Sequence, residues 1–485
     1  MPPLGLAYIA AVLKEAGHEV CVIDCPGMAP SNYFTFEGFN VRGLTNQDVC
    51  EKIPSDVDII ALGCMFTSHW LLVRGLVREI RDKFPSKLII MGGEHVTGFP
   101  EYSMSQAPLD AVIMGEGEET VLELLKCVNN GTTFDGIEGL AYRTSSGQIQ
   151  VNSRRTRLKN IDEIPWPAWE LFDIHKYIEA NQPHGASQGR FIPMLATRGC
   201  PFQCTFCTSP DMWTTEWIPR NPKKVVDEMV FYNMKYGITD FQFEDLTAIV
   251  RKDWIENFCD EIISRNINIT FQLPSGTRSE AIDYEVAKKL KSAGCHEFAF
   301  APESGDPRIL KAIKKNVHLP KMFQAARDAL KAKINVGCFF ILGFPEDDLR
   351  SVFKTYAAII KCAWIGFTNI NVNAYSPQPN TESFRALKEK GLIGEINDNY
   401  LKSLFTFQDY GAKKTSYNTR FSDWELSFFV GFGMILFYTL YFTFRPYRIY
   451  GLIRDLFSTS SANKTTKGAK AFLNEVFIRV KNKVV

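Results

Sequence analysis

Apolar residues along this chain recur in two rhythms that alternate. Over the first 130 residues, short β-rich apolar runs are separated by segments with helical spacing. The runs predict strands over 19–24 (EVCVID), 59–65 (IIALGCM), 87–92 (KLIIMG) and 111–115 (AVIMG), and the spacing predicts helices over 5–16, 71–84 and 119–129. Strands alternating with helices are the signature of βαβ units and a parallel sheet. Residues 131–173 break the rhythm. They read as a small β extension and a linker, with Pro and Trp concentrated in IDEIPWPAW. A second alternating series predicts strands over 191–197, 240–245, 269–275, 297–303, 336–343 and 370–376. Helices are expected over 223–236, 254–265, 284–292, 321–332 and 349–362. Six βα units predict a partial barrel, in which ligands sit at the carboxyl ends of the strands.

The pattern changes again near the carboxyl end. Residues 426–444 (LSFFVGFGMILFYTLYFTF) carry no charge, enough length for a membrane-crossing candidate. Arg445 and Arg448 flank it, and a buried or surface-lying helix is expected over a span. The basic segment 464–485 reads as an interfacial amphipathic helix or a solvated one. The expected division is 1–130, 131–185 (linker), 186–390 (barrel) and 391–485 (helical).

Composition narrows the class without deciding it. The chain has 485 residues, 45% of them hydrophobic, and a formal net charge of +1. That balance, with no basic stripe interleaved with aromatics, argues against a nucleic-acid partner. Twelve cysteines without a secretory leader pattern point to a reducing cytoplasm. No repeat at solenoid periods is present.

Chemistry concentrates in TRGCPFQCTFCTSP. Cys200, Cys204 and Cys207 are spaced C-x3-C-x2-C. Structural zinc sites use four ligands, usually paired C-x2-C elements or Cys with His, and no such second pair follows. Three thiolates on a cubane iron–sulfur cluster would leave one iron open for a ligand. The run therefore reads as a catalytic cluster site. The other nine cysteines sit mostly in apolar segments and read as small buried residues.

At these residues, with Phe206 before the last cysteine, the chain resembles the radical S-adenosylmethionine (SAM) superfamily. The resemblance implies a [4Fe-4S] cluster whose open iron chelates SAM, reductive cleavage to a 5′-deoxyadenosyl radical, and an external one-electron reductant. It also implies SAM contacts from Phe206, Glu303 and Ser304 (FAFAPESGD), Arg278 and Glu244. From the residues alone, Ser304 or Asp306 reads equally as a helix N-cap, and Arg278 as a surface ion pair.

The amino-terminal series carries a second resemblance. PPLGLAYIAAVLKEAGHEVCVID, GGEHVTGFPE, GEGEETVLELL and DEIPWPAW are together similar to the cobalamin-binding domain that precedes many radical SAM enzymes. This implies a flavodoxin-like, Rossmann-type sheet with a corrinoid above its strand ends. Thr67, Ser68, Gly92, Gly93, Glu94, His95, Gly115 and Glu116 are the implied contacts. On their own these glycines read as well as tight βα turns. No D-x-H-x-x-G motif supplies a lower cobalt ligand. Such domains open with a strand and an N-P-P loop, whereas this chain starts at Met1-Pro2-Pro3, so the first strand is expected to be missing.

The whole reads as an α/β enzyme: a cobalamin-binding domain, a partial (β/α)6 TIM-like barrel and a helical extension. The expected activity is C–H activation with cobalamin-dependent methyl transfer. Oxidative cyclisation of a tetrapyrrole, or radical chemistry beside a degenerate cobalamin domain, are the alternatives. The expected substrate is small and hydrophobic, and the expected location cytoplasmic with peripheral membrane contact through the carboxyl-terminal region. An RNA-modifying methylthiotransferase would bring further cluster cysteines at the amino end, and none is visible.

Overall fold

The computed structural model describes residues 1–405, 413–456 and 465–469. Two parallel sheets form, each from one of the alternating series. In the first, Ile59–Gly63, Leu88–Gly92 and Ala111–Ile113 run parallel, with Gly63 opposite Gly92 and Gly92 opposite Ile113. The β extension expected over 131–173 joins this same sheet: Leu140–Arg143 and Ile149–Val151 add to it antiparallel. Helices Leu4–Glu15, Trp70–Lys83 and Glu118–Asn130 accompany it. Glu118–Asn130 ends at Gly131, whose φ of +62° suits the left-handed turn that closes a helix.

One predicted strand is absent. Residues 19–24 are irregular and pair with no strand. The sheet order leaves Ile59–Gly63 at the edge with one side unpaired, and EVCVID does not take that place. Its side chains go elsewhere: Val20 and Val22 pack against the barrel core and Ile23 against the core of the first sheet. β propensity describes fit to a pleated neighbour, and without that neighbour the segment stays unladdered.

The second sheet contains Phe191–Met194, Asp240–Phe243, Thr270–Thr277, Cys295–Glu303, Asn335–Leu342 and Asn369–Ala374, all parallel and in chain order. The first and last do not pair, so the barrel is open as expected. Its strands are buried almost continuously, as parallel strands covered on both faces should be. The covering helices are Pro222–Tyr236, Lys252–Ser264, Tyr284–Ser292, Leu319–Lys331 and Leu349–Ile365. Side-chain caps start several of them, including a capping box of Asp348 with Ser351.

Helix Asp423–Phe444 covers the last barrel strand. Leu426, Val430, Gly433, Phe437 and Tyr441, spaced three or four apart, form its buried face. Arg445 and Arg448 bond the carbonyls of Ala363, Trp364, Ile365, Gly366 and Phe367, which close helix Leu349–Ile365. Residues 465–469 lie between the two ends of the open barrel: Thr465 donates to the Thr368 carbonyl and Lys467 to the carbonyls of His184 and Gly185. The helix expected over 464–485 otherwise falls outside the described residues.

Candidate active site between two strand ends

The cysteine loop leaves the first barrel strand through Thr197–Arg198 and Gly199. Gly199 is required there: its φ is +86°, and a Cβ would lie 2.1 Å from the Glu216 carbonyl oxygen. Cys200, Cys204 and Cys207 are all free and partly exposed. The loop folds tightly, with the Cys207 N–H on the Cys204 carbonyl (3.1 Å) and the Thr205 N–H on the Ile313 carbonyl (3.0 Å). Burial raises all three thiols, Cys207 to about 12, so iron has to displace their protons.

Among the described residues no three His, Cys, Asp or Glu side chains converge as a shell for one metal ion. A cubane is wider than one ion and takes a thiolate at each iron corner, so three separated sulfurs from one short loop suit it better. The surroundings suit an anionic cluster as well: Lys315 and Arg278 both lower the Cys200 and Cys204 thiols. The donor set fits the cluster.

The predicted SAM contacts divide. Glu303 ends its strand with a φ of +69°, a strained conformation for a residue with a side chain. Its carboxylate is buried and pairs with Lys315 at 2.8 Å. Burial raises Glu303. Burial also opposes the Lys315 ammonium, but Glu303 and Cys204 beside it hold it above its ordinary value. Arg278 stacks on Phe202, inside the cysteine loop, with 3.9 Å from the guanidinium carbon to the ring centre, and pairs with Glu280. Phe206 packs against Phe344 of the Gly343-Phe344-Pro345-Glu346 turn. Ser304 turns away: its hydroxyl is buried, accepts from the Asp306 N–H and lies 3.4 Å from Thr355 Oγ1. The N-cap alternative is met by Asp306, which accepts from the Arg308 N–H. Glu244 pairs with His184 at 2.7 Å.

The first sheet points its strand ends at this loop, but its polar side chains are already engaged. His95 is buried, with Nδ1 3.2 Å from Thr67 Oγ1, Nε2 3.2 Å from Ser103 Oγ, and its ring on Trp70. Burial lowers it to about 3, so it is neutral. Glu94 accepts from Thr208, the residue after Cys207. Glu116 takes Arg157 at 2.7 Å and Arg198 at 3.1 Å, while Glu118 takes Arg198 at 2.7 Å. All four side chains are under 10% exposed, and Arg198 lies two residues before Cys200. Burial works against the Glu118 carboxylate, but Arg198 outweighs it and holds the group low. Both guanidinium groups also lie over Trp213. Sequence reasoning missed Arg157, Arg198, Glu118, Trp213, Thr208 and Lys315; only their proximity to the cysteine and GEGE motifs hinted at them.

The glycine rim persists. Gly92 faces open space, and Gly93, at φ +115°, would bring a Cβ within 2.5 Å of the Cys64 carbonyl oxygen. Gly115 donates its N–H to Thr97. Ser68 follows Thr67 in a short turn. Helix Ser209–Trp213 lies over this rim, and the gap between, lined by Thr67, Glu94, Thr97, Thr208 and Met212 among others, is only about 10 Å³, room for one water molecule at most. Drug-sized ligands fill pockets of about 300–1,000 Å³, and a corrinoid is larger. The gap in this arrangement does not fit one.

Comparison with known proteins agrees with both halves. The B12 binding domain family matches residues 1–125 and the Radical SAM superfamily matches residues 194–359. The chain is 31% identical over 358 residues to an uncharacterized methyltransferase of Pyrococcus horikoshii, covering 73% of this chain and 72% of the relative. It is 28% identical over 320 residues to the anaerobic magnesium-protoporphyrin IX monomethyl ester cyclase of Synechocystis, covering 65% of this chain and 59% of that one. The fold is similar to that of the radical SAM methyltransferase TsrM from Kitasatospora setae, solved with cobalamin and a [4Fe-4S] cluster bound. The TM-score is 0.64 at 17% identity, covering 80% of this chain and 72% of that one.

Proposed function

The chain belongs to the radical SAM enzymes that carry a B12-binding domain, and on that premise we propose that it methylates a carbon of a small substrate. The family's cofactors, a [4Fe-4S] cluster, SAM and cobalamin, supply reductive cleavage of SAM, a 5′-deoxyadenosyl radical and a methyl donor. The observation that carries this reading is the set of three free cysteines on one tight loop at the carboxyl end of the first barrel strand.

Cys200, Cys204 and Cys207 hold three irons in this reading and leave the fourth to SAM. Glu303 and Lys315, an ion pair beside Cys204, would hold the SAM amino acid, Glu303 accepting from its ammonium and Lys315 donating to its carboxylate. Arg278 braces the loop through Phe202. SAM cleavage consumes one electron from an external reductant. Twelve free thiols fit a reducing compartment, and we assign the reaction to the cytoplasm.

Ring-forming oxidation of a tetrapyrrole is the second reading, favoured by the cyclase relative. Anaerobic reconstitution with SAM and mass analysis of the products tests both. 5′-Deoxyadenosine is expected, and its absence overturns the radical reading. S-adenosylhomocysteine formed alongside it supports methyl transfer. 5′-Deoxyadenosine without it supports oxidation.

A further inference from the structure

The carboxyl-terminal helices leave an apolar face that the reaction does not use. Helix Leu349–Ile365 turns Leu349, Phe353, Ile360 and Trp364 outward, and helix Asp423–Phe444 turns out Trp424, Phe428, Phe432 and Ile435. Both sets keep the spacing of one helical face; helix Asp423–Phe444 is apolar on its solvent side as well as its core side, and on helix Leu349–Ile365 the apolar row runs beside exposed Arg350, Lys354 and Lys361. The two rows merge: Trp424 stacks on Phe428 and Phe428 on Phe432, while Tyr356 meets Phe432 and Trp364 meets Phe444 at ring separations of 5.2 Å. Helix Tyr447–Leu456 extends the face with exposed Tyr447, Tyr450 and Ile453. An outward face of this size on a globular domain marks a docking surface.

We propose that this face docks on the surface of an anionic lipid bilayer. Helix Asp423–Phe444 is long and apolar enough to cross a membrane, with mean hydropathy 1.7, yet only 28% of its apolar window is buried. It does not cross, because Leu426, Val430, Gly433, Phe437 and Tyr441 tie its inner face to the barrel. A helix held on one side and apolar on the other lies in the interface plane, where Trp and Tyr are favoured.

Charge selects the partner. Residues 445–485 carry nine Lys or Arg and two Asp or Glu, while the whole chain carries +1. A basic segment next to an apolar helix is drawn to anionic headgroups. A second copy would bring the same exposed Arg350, Lys354 and Lys361 beside its own apolar rows and repel it. The acidic groups at the start of the helix are engaged locally: Glu425 closes a capping box with Ser422, and Asp423 takes the Ser416 N–H and Lys413.

Flotation of the full-length protein with vesicles tests this independently of the reaction proposed above. With phosphatidylcholine vesicles containing about one-third phosphatidylglycerol, partitioning is expected to be at least tenfold higher than with phosphatidylcholine alone, and to fall severalfold in 0.5 M NaCl as screening shortens the range of attraction. Phe428→Glu with Ile435→Glu is expected to cut partitioning at least tenfold, with circular dichroism, iron content and SAM cleavage unchanged. No flotation, equal flotation on both vesicles, or full flotation of the variant overturns the proposal. So does a dimer in analytical ultracentrifugation that the same variant dissolves.

Discussion

The two strand-end rims face each other, yet they treat polar side chains in opposite ways. On the barrel rim three thiols form no disulfide and make only weak contacts, the Ser209 N–H on Cys207 Sγ and Cys204 Sγ on the Lys314 carbonyl, and Glu303 and Lys315 pair with each other beside them. On the first sheet's rim His95, Glu94 and Glu116 are all bonded to protein partners. The barrel rim keeps donor atoms available, whereas the opposite rim uses its carboxylates to hold the cysteine loop through Thr208 and Arg198. Carboxylates on both rims have protein donors; what separates them is that Glu94 and Glu116 bond the cysteine loop and its flanking strand, whereas Glu303 pairs with Lys315 beside the thiols.

Breaking the barrel rim gives the largest expected effect. Cys204→Ala abolishes 5′-deoxyadenosine formation and lowers bound iron, with the circular dichroism spectrum retained. Cleavage at the wild-type rate would remove the cluster from this loop.

Breaking the opposite rim is expected to cost stability instead. Glu116→Ala leaves Arg157 and Arg198 short of a buried partner, a loss of about 3–5 kcal/mol measured by denaturant unfolding. If the variant keeps its stability and loses cobalamin absorbance, the two rims are alike after all.

Lys315→Met sharpens the contrast on the barrel side. Hydrogen bonds to charged groups contribute about 1.5–3 kcal/mol, so kcat/KM for SAM falls roughly ten- to hundredfold. A change in stability alone would make Lys315 structural.

His95 tests the other side by pH. Its pKa is lowered from 6.5 to about 3 by burial, so the unfolded chain binds more protons between those values. The stability tied to the neutral ring is complete above pH 6.5 and lost as pH falls toward 3. His95→Gln flattens that acid limb by up to about 1.4 kcal/mol per pH unit. A shifted cobalt spectrum with an unchanged limb would point to ligation instead.

Thr208→Val gives the smallest effect, about 1 kcal/mol of stability for one hydrogen bond. Differential scanning calorimetry reads it.

Much of the fold was legible in the sequence because parallel strands and their covering helices differ in apolar period. All six barrel strands and their helices appear where the rhythm predicted them. EVCVID failed because pairing depends on how a segment packs: its apolar side chains go to the two cores and leave the open edge at Ile59–Gly63 unused, which local composition does not report. The site was legible where chemistry is rare. Three closely spaced thiols have few other uses, whereas Glu116 and His95 carry groups that proteins also use to pair internally.

The sequence by itself therefore determined the two βα series, the close spacing of three cysteines on one loop and an uncharged carboxyl-terminal helix. These follow from period, spacing and composition, which are local properties of the chain. Only the tertiary structure decided that Arg198 and Arg157 occupy Glu116, that Lys315 stands beside Cys204 and Glu303, and that helix Asp423–Phe444 buries one face and leaves the other bare. Each of these joins residues far apart in the chain, and such pairings are set by packing between elements, which periodicity does not encode.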